Sequence, residues 1–256
     1  MKILVLAKPT FDTTLLRIDA KRNEIITKGV PYHINDHDKY ALEVASLIKQ
    51  KFPNTQIIAV GIGDKESKDS MREAIVRGAD EVYFIEKIHN IKYEPFIYAH
   101  MLAEVVKKLN PNLILCGTLS EDYASSATHI FLSEILEWPI ITNVINVAEI
   151  SSNYVILDRK RENIIETLEL QLPSIICVTS GIITLKAVTP IQIMRIPRDK
   201  IKTFDQIKLN IDNTMDVLSL IPIQSTQRKR ILIDGEKNID EAVKLLIDNL
   251  TREGLL

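Results

Sequence analysis

Short apolar runs of strand length alternate with longer segments of helical periodicity through the first half of the chain. The strand-like runs are Lys2 to Ala7, Gln56 to Val60, Glu81 to Glu86 and Leu113 to Cys116. Between and after them lie helical patterns at Asp38 to Lys51, Ser67 to Arg77, Glu94 to Leu109 and about Asp122 to Leu136. This alternation predicts right-handed βαβ units and a mostly parallel sheet flanked by helices, a Rossmann-like α/β fold. In the first helix Tyr40, Ala41, Val44, Ala45, Leu47 and Ile48 form a broad apolar face, with Lys39, Glu43, Lys49 and Gln50 largely opposite. Gly-Ala-Asp80 after the second helix fits a glycine-closed helix C-terminus.

Beyond Pro139 the pattern changes. Thr142 to Ile150, Tyr154 to Arg159 and Ile164 to Gln171 are strand-like and joined by short polar connectors, which predicts an antiparallel excursion before the buried run Ser174 to Thr179. From Gly181 to about Arg230 the periodicity is poor and Pro190, Pro197 and Pro222 interrupt it, so this stretch reads as an extended arm. Order returns at the end, with Asn238 as N-cap and Ile239, Ala242, Val243, Leu245, Leu246 and Leu250 as a helical stripe. The expected organisation is an α/β nucleotide-binding domain over 1–182 and a partner-binding arm with a C-terminal helix over 183–256.

Composition narrows the function. A net charge of -2, from 32 basic and 34 acidic residues, gives no electrostatic case for nucleic acid or an anionic membrane. No apolar stretch is long enough to span a bilayer, and the opening run Ile-Leu-Val-Leu-Ala is too short for a signal sequence. The only cysteines, Cys116 and Cys177, fall in apolar runs and read as small buried hydrophobes, not as metal ligands or a disulfide framework. A reducing, cytoplasmic setting follows as the expectation.

Catalytic signatures are missing: no Walker loop, no GxGxxG after the first strand, no GxSxG elbow and no metal-type Cys/His spacing. The five histidines are scattered; His33 and His37 are four apart, but Asn35 and Asp36 between them suggest a helix start, so solvated or capping roles are expected. Polar residues converge only at the C-terminal edge of the predicted sheet, where open α/β sheets bind ligands. The contributing loops are Ala7 to Asp12, Asn35 to Asp38, Gly61-Ile-Gly63 and Gly117 to His129. In the last of these, Ser125, Ser126 and Thr128 either cap the next helix or share its unpaired first amides with a phosphate.

Taken together, these loops resemble the beta subunit of electron-transfer flavoproteins. The resemblance spans nearly the whole chain and rests on the opening strand into Lys8 and Asp12, Ile-Asn-Asp-His-Asp-Lys-Tyr-Ala-Leu-Glu43, Arg-Gly-Ala-Asp80, Leu-Glu-Trp-Pro139, Leu-Gln-Leu-Pro173 and Gln227-Arg228. It implies pairing with an alpha subunit that holds most of the redox FAD, a dehydrogenase as electron donor, and AMP or a second FAD in this subunit. The nucleotide positions it implies are Leu6, Asn35, Asp36, His37, Asp38, Ile62, Gly117, Asp122, Ser125, Ser126, Ala127 and Thr128. Where the family usually has Gln-Thr-Gly this chain has Ala127, Thr128 and His129, losing a glutamine and placing a side chain where backbone should approach phosphate. The family's partner-anchoring leucine aligns with Pro190, beside Ile191, and the basic run Arg195, Arg198, Lys200, Lys202 resembles its lysine-rich segment. Two other readings stand beside this one: a stand-alone adenine-nucleotide sensor or hydrolase, and a scaffold subunit with a decayed nucleotide site.

Overall fold

A computed structural model describes residues 1–19, 22, 24–87, 95–204, 207, 230–236 and 238–256. The chain forms two compact units, Met1–Leu220 and Ile221–Leu256.

In the first unit the elements run β1 (Lys2–Leu6), β2 (Pro9–Phe11), β3 (Arg17–Asp19), β4 (Glu24–Ile26), β5 (Tyr32–Ile34), α1 (Asp36–Lys51) and β6 (Gln56–Gly63). A 3₁₀ segment, Lys65–Met71, leads into α2 (Arg72–Val76), then β7 (Glu81–Glu86), α3 (Pro95–Leu109), β8 (Leu113–Gly117) and α4 (Thr128–Leu136). There follow β9 (Ile140–Ile150), β10 (Tyr154–Arg161), β11 (Ile164–Gln171), β12 (Ser174–Val178), α5 (Pro190–Met194) and β13 (Ile201–Thr203). The second unit carries α6 (Ile239–Arg252).

Among the described residues nine strands make the main sheet, in the order β11-β10-β9-β12-β8-β1-β6-β7-β13. Every described neighbour pair from β9 to β13 along this order is parallel, and only β10 runs against the rest. The expected parallel sheet and its antiparallel excursion are therefore both present. Alternation along the strands sorts the core into two layers. Ile3, Val5, Ile57, Ala59, Leu113, Leu115, Ile176 and Val178 pack with the apolar face of α1, while Leu4, Ile58, Val60, Ile114, Cys116, Ile175 and Cys177 pack with α3 and α4.

The structure departs from the sequence expectation in three places. The helix after β8 begins at Thr128, not near Asp122, because residues 121–127 form a turn in which Ala124 and Ser126 take positive φ values of 50°. The helix expected over Ser67 to Arg77 is 3₁₀ as far as Met71. The arm region also contributes regular structure: β13 extends the sheet edge beside β7, and Pro190, expected as a breaker, opens α5 behind a Thr189–Gln192 capping box. Proline at that position loses no hydrogen bond, since the first helical N–H groups have no partner anyway. Gln227, Arg228, Pro222 and His89 lie outside the described residues.

Asn238 caps α6 as expected, its side chain accepting from the Glu241 N–H at 3.3 Å. Ile239, Val243 and Leu246 along that helix are all exposed within this chain.

Candidate functional site

The strand order reverses at the centre of the sheet. From β1 the chain moves outward to β6 and β7, then returns to the other side of β1 as β8 and continues to β12. The C-terminal ends of β1 and β8 thus flank a topological switch point, where connecting loops diverge and leave a crevice. An open cleft lies there.

Its walls come from the loops singled out in the sequence. Leu6, Asn35, Asp38, Ile62, Gly117, Ser125, Ser126, Ala127 and Thr128 all line it. Asp36, His37 and Asp122 do not: Asp36 pairs with Lys39, the His37 ring sits 3.3 Å from the Thr118 hydroxyl, and Asp122 pairs with Lys8 at 2.7 Å. Tyr123 of the Gly117 to His129 loop also lines it, and Pro95, Tyr98 and Leu102 of α3 do so without having been anticipated. They were hidden because α3 reads in sequence only as an amphipathic helix packed on the sheet.

Asp38 holds the crevice together. Its carboxylate accepts from the Lys8 N–H at the end of β1 and from the Gly117 N–H at the end of β8, each at 2.9 Å. Burial pushes its pKa up to about 6, against the opposing pull of those donors. Asn35 secures the next loop: its amide donates to the Leu119 carbonyl at 2.8 Å and its side-chain oxygen accepts from the Glu121 N–H at 3.1 Å. His33 Nε2 meets a Glu121 carboxylate oxygen at 3.1 Å on the same loop. The glycine at 117 is required by packing, since a Cβ there would lie 2.5 Å from His37 Cβ and 2.6 Å from its carbonyl carbon. Likewise a Cβ on Gly61 would lie 2.6 Å from the Ala7 carbonyl oxygen.

The α4 N-terminus opens onto the cleft. Ala127 is its N-cap and supplies no side-chain hydrogen bond, so the serines and threonine around it do not cap the helix. The first amides of α4 therefore have no internal partner and present a positive dipole end to the cleft. Lys8 adds a cation nearby, but its ammonium is engaged by Asp122 at 2.7 Å, by Ser120 at 3.4 Å and by the Tyr123 ring at 5.0 Å. Burial pushes the Tyr98 phenol up to about 12, so it remains a hydrogen-bond donor at neutral pH.

His129 is neither solvated nor capping. It is only 8% exposed and lies beside Cys177 at the start of α4. Cys116 and Cys177 are the paired residues of β8 and β12, both buried as expected, with Sγ atoms 3.3 Å apart. Burial pushes the Cys177 thiol up, but the hydrogen bond from Cys116 and the neighbouring His129 imidazole outweigh it and bring the group down to about 6. No spacing rule could have found this trio, because 61 residues separate the cysteines and only the strand register joins them.

Comparison with known proteins settles the ancestry of this arrangement. Residues 23–205, more than two thirds of the chain, match the model of the electron transfer flavoprotein domain. The chain belongs to the electron transfer flavoprotein family. It is 29% identical to electron transfer flavoprotein subunit beta of Dictyostelium discoideum, over 95% of this chain and 97% of that protein. It is 32% identical to caffeyl-CoA reductase-Etf complex subunit CarD of Acetobacterium woodii over 69% of this chain and 67% of that protein, and 25% identical to the human subunit beta over 96% of each. Among electron transfer flavoproteins the resemblance is thus to beta subunits. No helix among the described residues is long and apolar enough to cross a membrane.

Proposed function

We propose that this chain is the beta subunit of a heterodimeric electron-transfer flavoprotein and that its cleft binds an adenine nucleotide, either AMP or the adenylate half of a second FAD. The observation that carries this reading is the cleft at the β1/β8 switch point, with the uncapped start of α4 on one wall. Leu6, Val60 and Ile62 would face the adenine, with Tyr98 and Leu102 as apolar cover. The first amides of α4 and the hydroxyls of Ser125, Ser126 and Thr128 would hold phosphate oxygens, the positive φ of Ser126 helping to turn successive N–H groups to one side. Asp38 and Asn35 position these loops and would not themselves touch the electrons. The FAD, mainly held by the alpha subunit, supplies the redox chemistry when bound, and a dehydrogenase supplies its electrons. The cytoplasm is the proposed setting.

The segment 183–256 would serve as the partner-binding arm. Ile191, 63% exposed beside Pro190 on α5, is the proposed anchor for a dehydrogenase. The exposed face of α6 suits the alpha subunit.

Co-expression with the alpha subunit, followed by mass spectrometry of small molecules released from the purified complex, tests both halves. The expected result is a stoichiometric alpha partner with FAD, plus AMP or additional FAD assignable to this chain. A stable monomer that recruits neither partner nor flavin overturns the assignment. One observation favours a second reading, a scaffold whose nucleotide site has decayed: Lys8 is already neutralised by Asp122 and covered by Tyr123. A flavin-loaded complex releasing no nucleotide from this subunit would select it.

A further inference from the structure

The trio Cys116, Cys177 and His129 lies beneath the cleft and takes no part in the nucleotide reading. One ligand atom from each comes within 4.8 Å of the others. The cysteines are 4% and 0% exposed, and they are the only two in the chain. Cys116 and His129 reach the cleft lining, whereas Cys177 lies behind them. From this geometry we infer that the trio is a metal site for a thiophilic d¹⁰ cation of the Zn²⁺ type, with Cys116 Sγ, Cys177 Sγ and one His129 ring nitrogen as ligands and the fourth position facing the cleft.

The chemistry of the donor set supports a cation. Two thiolates and a neutral imidazole balance the charge of a divalent ion, and both thiol protons pass to solvent as it binds. Three protein ligands with an open fourth position are the pattern of zinc sites that also bind water or a substrate group. Zn–S bonds of about 2.3 Å at a tetrahedral centre hold two sulfurs about 3.8 Å apart. The present 3.3 Å separation reaches that value by a small rotation about either side chain.

Directly paired residues on parallel strands are held about 4.8 Å apart, with their side chains projecting side by side, a spacing that a disulfide also tolerates. The third ligand, the His129 imidazole, has a place at a cation and none in a disulfide. Asp38 is no competitor as a ligand, because both its oxygens already accept backbone N–H groups. Because Cys116 and His129 line the cleft, the open position would place a charge-neutral Lewis-acidic centre at its floor. An anionic group or a water molecule would complete the coordination.

Cadmium reports on this site directly. Reduced full-length protein titrated with Cd²⁺ should develop the ultraviolet thiolate-to-cadmium charge-transfer band, saturating at one ion per chain, and Cd²⁺ should likewise displace bound Zn²⁺. Zinc-loaded protein should retain one zinc through gel filtration, with both thiols protected from a disulfide-exchange reagent. Cys116→Ser, Cys177→Ser and His129→Ala should each lose the retained zinc, while Lys107→Gln, an exposed change on α3 outside the cleft, should keep it. The wild-type titration needs no variant to fold: absence of the band in folded, reduced protein overturns the site. So does a two-dalton mass loss on purification that marks a Cys116–Cys177 disulfide. Neither outcome depends on whether the cleft holds a nucleotide.

Discussion

Asp38 joins α1 to the ends of β1 and β8, and its burial gives that joint a pH dependence of unusual sign. Its folded pKa of about 6 lies above the ordinary carboxylate value. Between the two values the folded state holds a proton that the unfolded chain has lost, so stability from this group falls as pH rises through about 4 to 6. Two pKa units correspond to about 3 kcal/mol. Asp38→Asn removes the titration, so the stability difference between wild type and variant should shrink by about that amount from pH 4 to pH 7 in urea unfolding. A constant difference would show that Asp38 titrates normally. Arg77 is a second buried pivot: its guanidinium meets Glu43 at 2.7 Å and Glu73 at 2.8 Å, all three groups little exposed, and reaches the Lys186 carbonyl at 3.3 Å. Arg77→Ala leaves two uncompensated carboxylates and should cost about 3–5 kcal/mol in denaturant unfolding. Replacing all three residues by apolar ones of similar size should recover most of that loss.

The loop from Gly117 to Thr128 and the helix it opens separate stability from the proposed function at the scale of one element. Ser126 has a φ of 50°, a conformation that favours glycine. Ser126→Gly should therefore leave thermal stability unchanged or raise it by up to about 1 kcal/mol, while the lost hydroxyl lowers nucleotide retention in the complex. Equal retention by the two proteins would remove Ser126 from the phosphate end. This loop also marks the limit of what the sequence disclosed. The strands and α1 were legible because burial on both faces of a parallel sheet demands continuous apolar runs, and one-sided packing demands an amphipathic helix. Gly78, with φ of 109°, closes α2 as Gly-Ala-Asp80 suggested. The delayed start of α4 was not legible, since Ser125, Ser126 and Thr128 suit a cap or a ligand loop equally well. Three-residue β13 was hidden for another reason: Ile201–Thr203 is too short for a periodicity, and its place is fixed by partners far away in sequence. Lys202 reaches Glu81 at 2.6 Å and Arg198 reaches Asp69 at 2.8 Å, so half of the expected basic surface run is tied down within its own unit. Cys116, Cys177 and His129 met through the same kind of long-range register.

For the whole molecule, the surfaces proposed for partner binding contribute little to the core. α6 presents Ile239, Val243 and Leu246 at helical spacing on one exposed face. Val243→Asp combined with Leu246→Asp should abolish co-purification of the alpha subunit, yet change the unfolding free energy of the first unit by no more than about 0.5 kcal/mol. Unimpaired co-purification would move the interface elsewhere.

Strand β13 closes the sheet at β7, although 114 residues separate the end of β7 at Glu86 from Ile201. During synthesis the strand Glu81–Glu86 thus waits with one row of peptide groups unpaired while all of β8 to β12 emerges. A nascent or truncated chain ending before Ile201 carries a bare strand edge that can recruit its like. A chain stopped at Lys200 should accordingly form multimers by light scattering at concentrations where the full chain does not. The last of the described strands in the sheet is in this sense a chaperone in cis.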